Sequence, residues 1–272
     1  MPTIIDQIDD RYIDVDFERD PRYVFGDLGV GLCGATYGVF EEQFAVMSDA
    51  EIDAAIEAID GTPGSGLEYL VSRVYDQRSE GSCVANACGQ AHEICQAMQF
   101  GKDRVIPLSA MSLYKRIGRS PGSGAMVSDG LAEGQSRGFL PLDTPENRAR
   151  FGAHVMPNTG WSTPFPSGWE TTGKQIVFLE ADIIRSMQGL KTFLAQQLGG
   201  VVVGRQGHSI CYTRLARKSG RRVAPYPNSW SLNWGSPFGE LSGGFGFDSE
   251  SQIAMSAQWA FGVRAVSVPV SA

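Results

Sequence analysis

Cys83 sits where a thiol becomes reactive. The stretch QRSEGSCVANACGQAHEICQAM, residues 77–98, reads as a loop, a Gly-Ser turn and a helix that begins at or beside this cysteine. At 100° per residue, Val84, Ala87, Cys88, Ala91, Ile94, Cys95 and Met98 share one broad face, and Asn86, Gln90, Glu93 and Gln96 share the other. Cys83 falls in the first turn, on the polar side of that boundary. Unpaired backbone N–H groups and the positive end of the helix dipole favour an anion there. The thiolate is the nucleophilic form of cysteine.

A cysteine nucleophile needs a base, a group that orients the base, and donors for a developing oxyanion. The chain has three histidines. His92 lies on the Cys83 helix and faces another way, and His154 sits in a Pro-rich stretch with no strand or helix to fix it. His208 follows Gly207 and opens the apolar strand SICYTRL, so a rigid element sets its ring. Twenty residues later comes PNSWSLNWG, where Asn228 can accept the imidazole N–H and the indole of Trp230 can cover that bond from water. Gln77, six residues before Cys83, supplies a side-chain N–H that can join the Cys83 backbone N–H as an oxyanion hole.

Gln-x5-Cys, then Gly-His, then Asn-Ser-Trp-x3-Trp-Gly, in that order, resembles the papain-like cysteine peptidases. The apolar helix after the nucleophile, LSAMSLY, and the GGFGF segment agree, and the resemblance covers roughly residues 70–266. It implies that Cys83 attacks a carbonyl, that His208 acts as base and then acid, and that Asn228 orients His208. Gln77 would stabilise the tetrahedral oxyanion, and water would release the acyl-enzyme.

The sequence departs from that pattern in four places. Val84 and Asn86 stand where aromatics are usual. Glu80 occupies a position, three before the nucleophile, where secreted members often carry a disulfide cysteine. Only four residues separate Val203 from His208, where the family has a longer excursion that shapes the substrate cleft. The resemblance therefore carries the catalytic set further than the substrate pocket. No helix pattern of the family's usual pro-segment is visible in residues 1–66.

The elements around these residues predict an α+β fold: a helical first half and a strand-rich second half with the site between them. Ser48-Asp49-Ala50-Glu51 opens a helix through AEIDAAIEAID, and GTPGSG (61–66) is a turn or linker. IPLSAMSLYKRIG gives a second, Ser-capped helix, and SDGLAEGQSRG another that ends at Gly138. Residues 139–174, with five prolines, read as an irregular crossover, and a subdomain boundary is expected near 150. ADIIRSMQGLKTFLAQQLGG has helical spacing at Ile184, Met187, Leu190, Leu194 and Leu198. VVVG, SICYTRL, RRVAPY, GGFGFD and GVRAVSVPV then carry strand signals. The expected organisation is an extension (1–66), a helical subdomain with the nucleophile (67–150), and an antiparallel, barrel-like subdomain with His208 and Asn228 (151–272).

Composition narrows the function classes. A net charge of −7 argues against a general nucleic-acid binder. No apolar run approaches the ~18 residues that span a bilayer, and the acidic start MPTIIDQIDDRYIDVDFERD lacks the order of a secretory signal. Five cysteines, three on one helix, make a poor disulfide framework, so a reducing compartment is expected. Cys88, His92 and Cys95 share a helix face at metal-ligand spacing, but no fourth ligand announces itself; core thiols beside a hydrogen-bonded histidine are expected, with no metal and no cofactor. Cys33 and Cys211 read as packing residues, and Glu93 and Asp129 as residues of solvated helix faces.

The reading that follows is a cytoplasmic or particle-associated cysteine hydrolase acting on peptide or isopeptide bonds of a peptide or protein substrate. Two alternatives stay open: a phage or bacterial hydrolase of peptidoglycan peptides, and a papain-fold structural or virion component with vestigial activity. Residues 1–66 are expected to pack on the body of the protein, or else to serve as an arm for assembly into a larger complex.

Overall fold

The computed structural model describes residues 5, 8–16, 37–205, 207–256 and 260–269, the side chain of Ser256 excepted. Cys33 and most of the Gly-rich stretch before it lie outside these residues. The first regular element is a single 3-10 turn over Asp10–Tyr12, capped by the side chain of Asp9, after which Ile13 bridges to Phe247. β1 (Gly38–Val39) runs into the short α1 (Phe40–Gln43). α2 (Asp49–Asp60) opens on a full capping box: Glu51 N donates to Ser48 Oγ, and Ser48 N donates to the Glu51 carboxylate at 2.7 Å. Ile52 and Ile56, one turn apart, carry the buried face of α2 into the core.

α3 (Cys83–Phe100) is the central element, and every residue from Cys83 to Ala97 is buried. β2 (Leu108–Ser109) leads into α4 (Ala110–Ile117), whose Ser109 cap matches the sequence. α5 (Val127–Ser136) begins one residue before Ser128 on an uncapped Met126, so the expected serine cap does not form. The Pro-rich stretch is more regular than its composition predicts. β3 (Leu140–Pro141) pairs with β2, and α6 (Pro145–Phe151) uses Pro145 in its first turn under a Thr144 cap. Proline costs nothing there, because that N–H has no helical partner. α7 (Trp169–Gly173) follows.

The helix expected from Ala181 onward is divided. Residues Phe178–Ile184 form β4, and α8 (Met187–Ala195) starts after Ser186, whose Oγ accepts Gly189 N at 2.9 Å. Ile184 thus belongs to a strand: the segment FLEADII pairs with β11 from Phe178 to Ile184, with an irregularity at Leu179, and tertiary pairing overrides the helical spacing. β5 (Gly200–Arg205) and β6 (His208–Tyr212) form a tight hairpin with Arg205 opposite His208. Gly207 at φ 72° makes that turn possible without a Cβ penalty. β7 (Ala216–Lys218), β8 (Arg221–Pro227), β9 (Ser236–Phe238), β10 (Leu241–Ser249), α9 (Glu250–Ser256) and β11 (Ala260–Val266) complete the chain.

The strands build one sheet in the order β1-β4-β11-β5-β6 and a second in the order β7-β8-β10-β9. All pairs within them are antiparallel except β1 with β4. This is the α+β arrangement expected from the sequence. α3 packs across β5, β6 and β11. One apolar cluster surrounds α3; a second joins Phe40, Ile52 and Ile56 to α8, the inner face of β5 and β6, and Trp230 and Trp234. The GGFGF segment has its own physical reason. Gly244 is at φ 96°, a Cβ there would lie 2.5 Å from Val74, and its carbonyl accepts Asn228 N at 2.8 Å.

The segment before Cys83 is fastened to the strand-rich half by buried charge. Arg214 Nε donates to both oxygens of Glu68 at 2.7 and 2.9 Å, and Arg214 Nη1 donates to Asp60 at 2.7 Å. Desolvation pushes the Glu68 carboxyl pKa up and makes it dependent on that guanidinium. Replacing Arg214→Met strands a buried carboxylate and is expected to cost about 3–5 kcal/mol. Adding Glu68→Gln should recover part of the loss, measured by urea unfolding of the three proteins.

Candidate active site

Three backbone connections draw the Gln77 loop and the Asn228 segment together. Gln77 N donates to Ser229 O at 2.8 Å, Ser231 N donates to Tyr75 O at 3.0 Å, and Asp76 bridges Trp230. The Gln77 side chain is oriented by the same segment: Ser229 Oγ donates to its Oε1 at 2.5 Å, while its Nε2 donates to Glu80 O at 2.9 Å. The amide nitrogen therefore faces the loop that ends at Cys83.

Cys83 is the first residue of α3, as the spacing predicts, and is fully buried. His208, at the start of β6, is 1 % exposed. Its Nε2 lies 2.7 Å from Asn228 Oδ1. Trp230 covers the pair, its ring centroid 5.0 Å from the imidazole, and is itself backed edge-on by Trp234 at 5.7 Å. Asn86 and Ala87, one turn beyond Cys83, share a small cavity with Ser209, Asn228 and Ser229. The opening turns of α3 thus meet the residues flanking His208 and the Asn228 segment.

Comparison with protein-family models gives no match, and neither does comparison with curated protein sequences. Solved structures do match. Xylellain, a cysteine protease from Xylella fastidiosa, superposes with a TM-score of 0.56 at 18 % identity over 93 % of this chain and 99 % of that one. The chain has the papain-like fold. A cysteine protease that is a major ragweed pollen allergen, solved in its proform, gives a TM-score of 0.54 at 14 % identity over 74 % of this chain. Digestive procathepsin L 3 of Tenebrio molitor larval midgut gives 0.53 at 15 % over 73 % of this chain. The chain spans 64 % of the ragweed protein and 67 % of the Tenebrio protein.

Within this papain-like fold, burial governs the charges. Desolvation, helped by Arg205 and opposed by the bond to Asn228, lowers the His208 pKa to about 4. A buried imidazole is costly to protonate, so in this conformation His208 is a neutral base. Arg205 is engaged by Asp248 at 3.1 Å, and Tyr212 Oη donates to the same carboxylate at 2.5 Å. Burial pushes the Asp248 pKa up to about 7.

The other candidates fall elsewhere. His92 packs against Phe139 and Phe178, with Nδ1 3.1 Å from Gln96 Nε2. Cys95 Sγ contacts Val263 O at 3.1 Å; its pKa is pushed up to about 12, and that of Cys88 higher still, both by burial. Cys211 is likewise a buried thiol of the core, with its pKa raised. His154 is fixed after all, its Nδ1 3.0 Å from Thr172 Oγ1. Glu93 is the clear correction. It is 1 % exposed and accepts from Arg73 at 2.8 Å, Tyr75 Oη at 2.7 Å and Leu108 N at 2.8 Å. Asp129 is half-buried, and burial raises its pKa. Periodicity separates polar from apolar faces, but it does not separate a wet polar face from an internally paired one.

Three further residues shape the site, of which sequence reasoning noted Glu80 for its position alone and gave Ser229 and Asn158 no role. Ser229 orients Gln77, and a Ser beside the Asn was the available signal. Glu80 accepts Gly160 N at 3.0 Å and Trp161 N at 2.9 Å, so its side chain ties the loop before Cys83 to the Pro-rich crossover. Asn158 donates to Asn86 Oδ1 at 3.3 Å and accepts Ala110 N at 3.0 Å. Nothing in local spacing announces either long-range pairing.

Burial lowers the His92 pKa to about 3, so the folded protein refuses a proton that the unfolded chain accepts below about 6.5. The stability this contributes is complete above that pH and is lost progressively as pH falls toward 3. Between pH 7.5 and 4.5, His92→Leu should lose less unfolding free energy than the wild type, by on the order of 2 kcal/mol. Denaturant titrations at the two pH values measure the difference.

Proposed function

We propose that this chain is a cysteine-type peptide hydrolase in which Cys83, His208 and Asn228 form the catalytic set. The observation that carries the reading is the 2.7 Å contact between His208 Nε2 and Asn228 Oδ1 beneath Trp230, in a papain-like fold whose central helix starts at Cys83. With Nε2 given to Asn228, Nδ1 is the ring nitrogen left to exchange a proton with a thiol. In this mechanism Nδ1 takes the Cys83 proton as sulfur adds to the substrate carbonyl carbon. The Cys83 backbone N–H and Gln77 Nε2 stabilise the oxyanion, and His208 then protonates the departing amine. Water, deprotonated by His208, attacks the thioester; the acid product leaves and the thiol is regenerated.

The low His208 pKa refines the mechanism. Burial holds the His208 imidazole neutral, so it is free to take a proton as the substrate is attacked. Trp230 shields the His208–Asn228 bond, which keeps the ring in one tautomer throughout. The substrate class is a peptide or isopeptide, without a metal or cofactor in any step. We retain residues 67–150 as the part that carries the nucleophile and 151–272 as the part that carries its base. The described parts of residues 1–66 pack on both: Tyr37 Oη donates to Ser128 O at 2.7 Å, and Asp53 pairs with Arg217 and Arg222.

One observation favours a papain-fold assembly component instead: Cys83 is 0 % exposed and His208 1 %. Turnover separates the two readings. Wild-type protein incubated with unfolded protein substrates and with purified cell-wall peptides is expected to cleave at least one class, and Cys83→Ala to cleave neither. Site-resolved alkylation should show Cys83 modified at pH 6–7 well ahead of Cys88, Cys95 and Cys211, with the advantage lost in His208→Ala. No turnover, together with alkylation of Cys83 no faster than of the core thiols, sinks the enzyme reading.

A further inference from the structure

A cavity of about 10 Å³ lies between α3 and the strands that carry His208 and Asn228, lined by Tyr75, Asn86, Gln90, Ser209, Asn228 and Ser229 among others. That is room for the centre of one water-sized sphere. Two of the lining side chains bring buried donors without an acceptor among the described residues: Gln90 Nε2 and Asn228 Nδ2. Gln90 is 3 % exposed and Asn228 1 %. A buried amide donor left unpaired costs about 1–3 kcal/mol, and here two of them border one cavity.

Three hydroxyl residues of the lining have the opposite character. Ser209 Oγ gives its proton to Val203 O at 3.0 Å, Ser229 Oγ gives its proton to Gln77 Oε1, and Tyr75 Oη gives its proton to Glu93. Each of these hydroxyls therefore presents only lone pairs to other neighbours. Two donors and several acceptors around a water-sized space are the complement of one water molecule, which accepts two hydrogen bonds and donates two. A halide would suit the donors but meet the hydroxyl lone pairs.

We propose that this cavity is a binding site for one structural water, which accepts from Gln90 and Asn228, and that Gln90 acts through it as a positioning residue for the proposed catalytic set. The inference rests on the reading of His208 and Asn228 given above. An Asn side chain presents oxygen on one side and NH2 on the other, and only the oxygen can receive an imidazole N–H. Holding Asn228 Nδ2 on the cavity side fixes Oδ1 toward His208. Gln90 sits two turns along α3 from Cys83, so the nucleophile's own helix sets the sense of the amide that orients its base.

The test has one arm without turnover and one with it. A high-resolution crystal structure of the whole chain is expected to place one oxygen about 3 Å from both amide nitrogens. Side-chain amide NMR of Asn228 should show magnetisation transfer from a long-lived water that disappears in Gln90→Met. An empty cavity, a bound chloride, or an Asn228 amide signal unmoved by Gln90→Met overturns the proposal even if the protein proves inactive as a peptidase. In an active protein, Gln90→Met should lower kcat about three- to tenfold with KM unchanged, and should add no further loss in an Asn228→Ala background. Equal losses in both backgrounds, or a loss in KM alone, also overturn it. Thermal unfolding of each variant checks that the fold is retained.

Discussion

A helix buried on all sides must have its polar side chains satisfied from within, and that demand on α3 organises the molecule. Glu93 draws in Arg73, Tyr75 and the backbone of Leu108; Gln96 takes both backbone groups of Ile106; Asn86 takes Ser82 and Asn158. These partners come from the loop before Cys83, from the connection to α4 and from the Pro-rich crossover. The apolar face meets β5, β6 and β11. Irregular loops are thereby held at fixed distances from Cys83 by the helix that presents it.

The same economy runs through the site. Asn228 donates its backbone N–H to the carbonyl of Gly244 in β10, its neighbour Ser229 orients Gln77, and its next neighbour Trp230 covers His208. Three consecutive residues therefore serve three different parts of one constellation. The cluster Arg205–Asp248–Tyr212 lies on the other flank of His208 and supplies the positive charge that, with burial, keeps the imidazole neutral.

Much of this was legible in the sequence, and the boundary between what was and what was not is physical. The start of α3 at Cys83, the Ser48 and Ser109 caps, the strand that opens at His208, and the pairing of His208 with Asn228 all follow from local chemistry or a spaced motif. The strand at Phe178–Ile184 was hidden, because its hydrophobic spacing also fits a helix and only pairing with β1 and β11 decides the matter. The burial of Glu93 was hidden because its partner Arg73 lies twenty residues away in a loop without a pattern. α6 was masked by counting prolines without asking where in a helix each would fall. Gln90 was read as part of a polar face, and its facing Asn228 is a consequence of packing two halves of the chain together.

Glu80 holds Gly160 and Trp161 with a carboxylate at the position where secreted relatives of this fold often place half of a disulfide. A covalent cross-link is made once and depends on the electron balance of its surroundings. A carboxylate gripping two backbone N–H groups forms as the chain folds and releases as it unfolds, with no oxidant and no isomerase. The tie that holds the loop beside Cys83 therefore does not depend on redox conditions, and it belongs to folding equilibrium rather than to thiol chemistry.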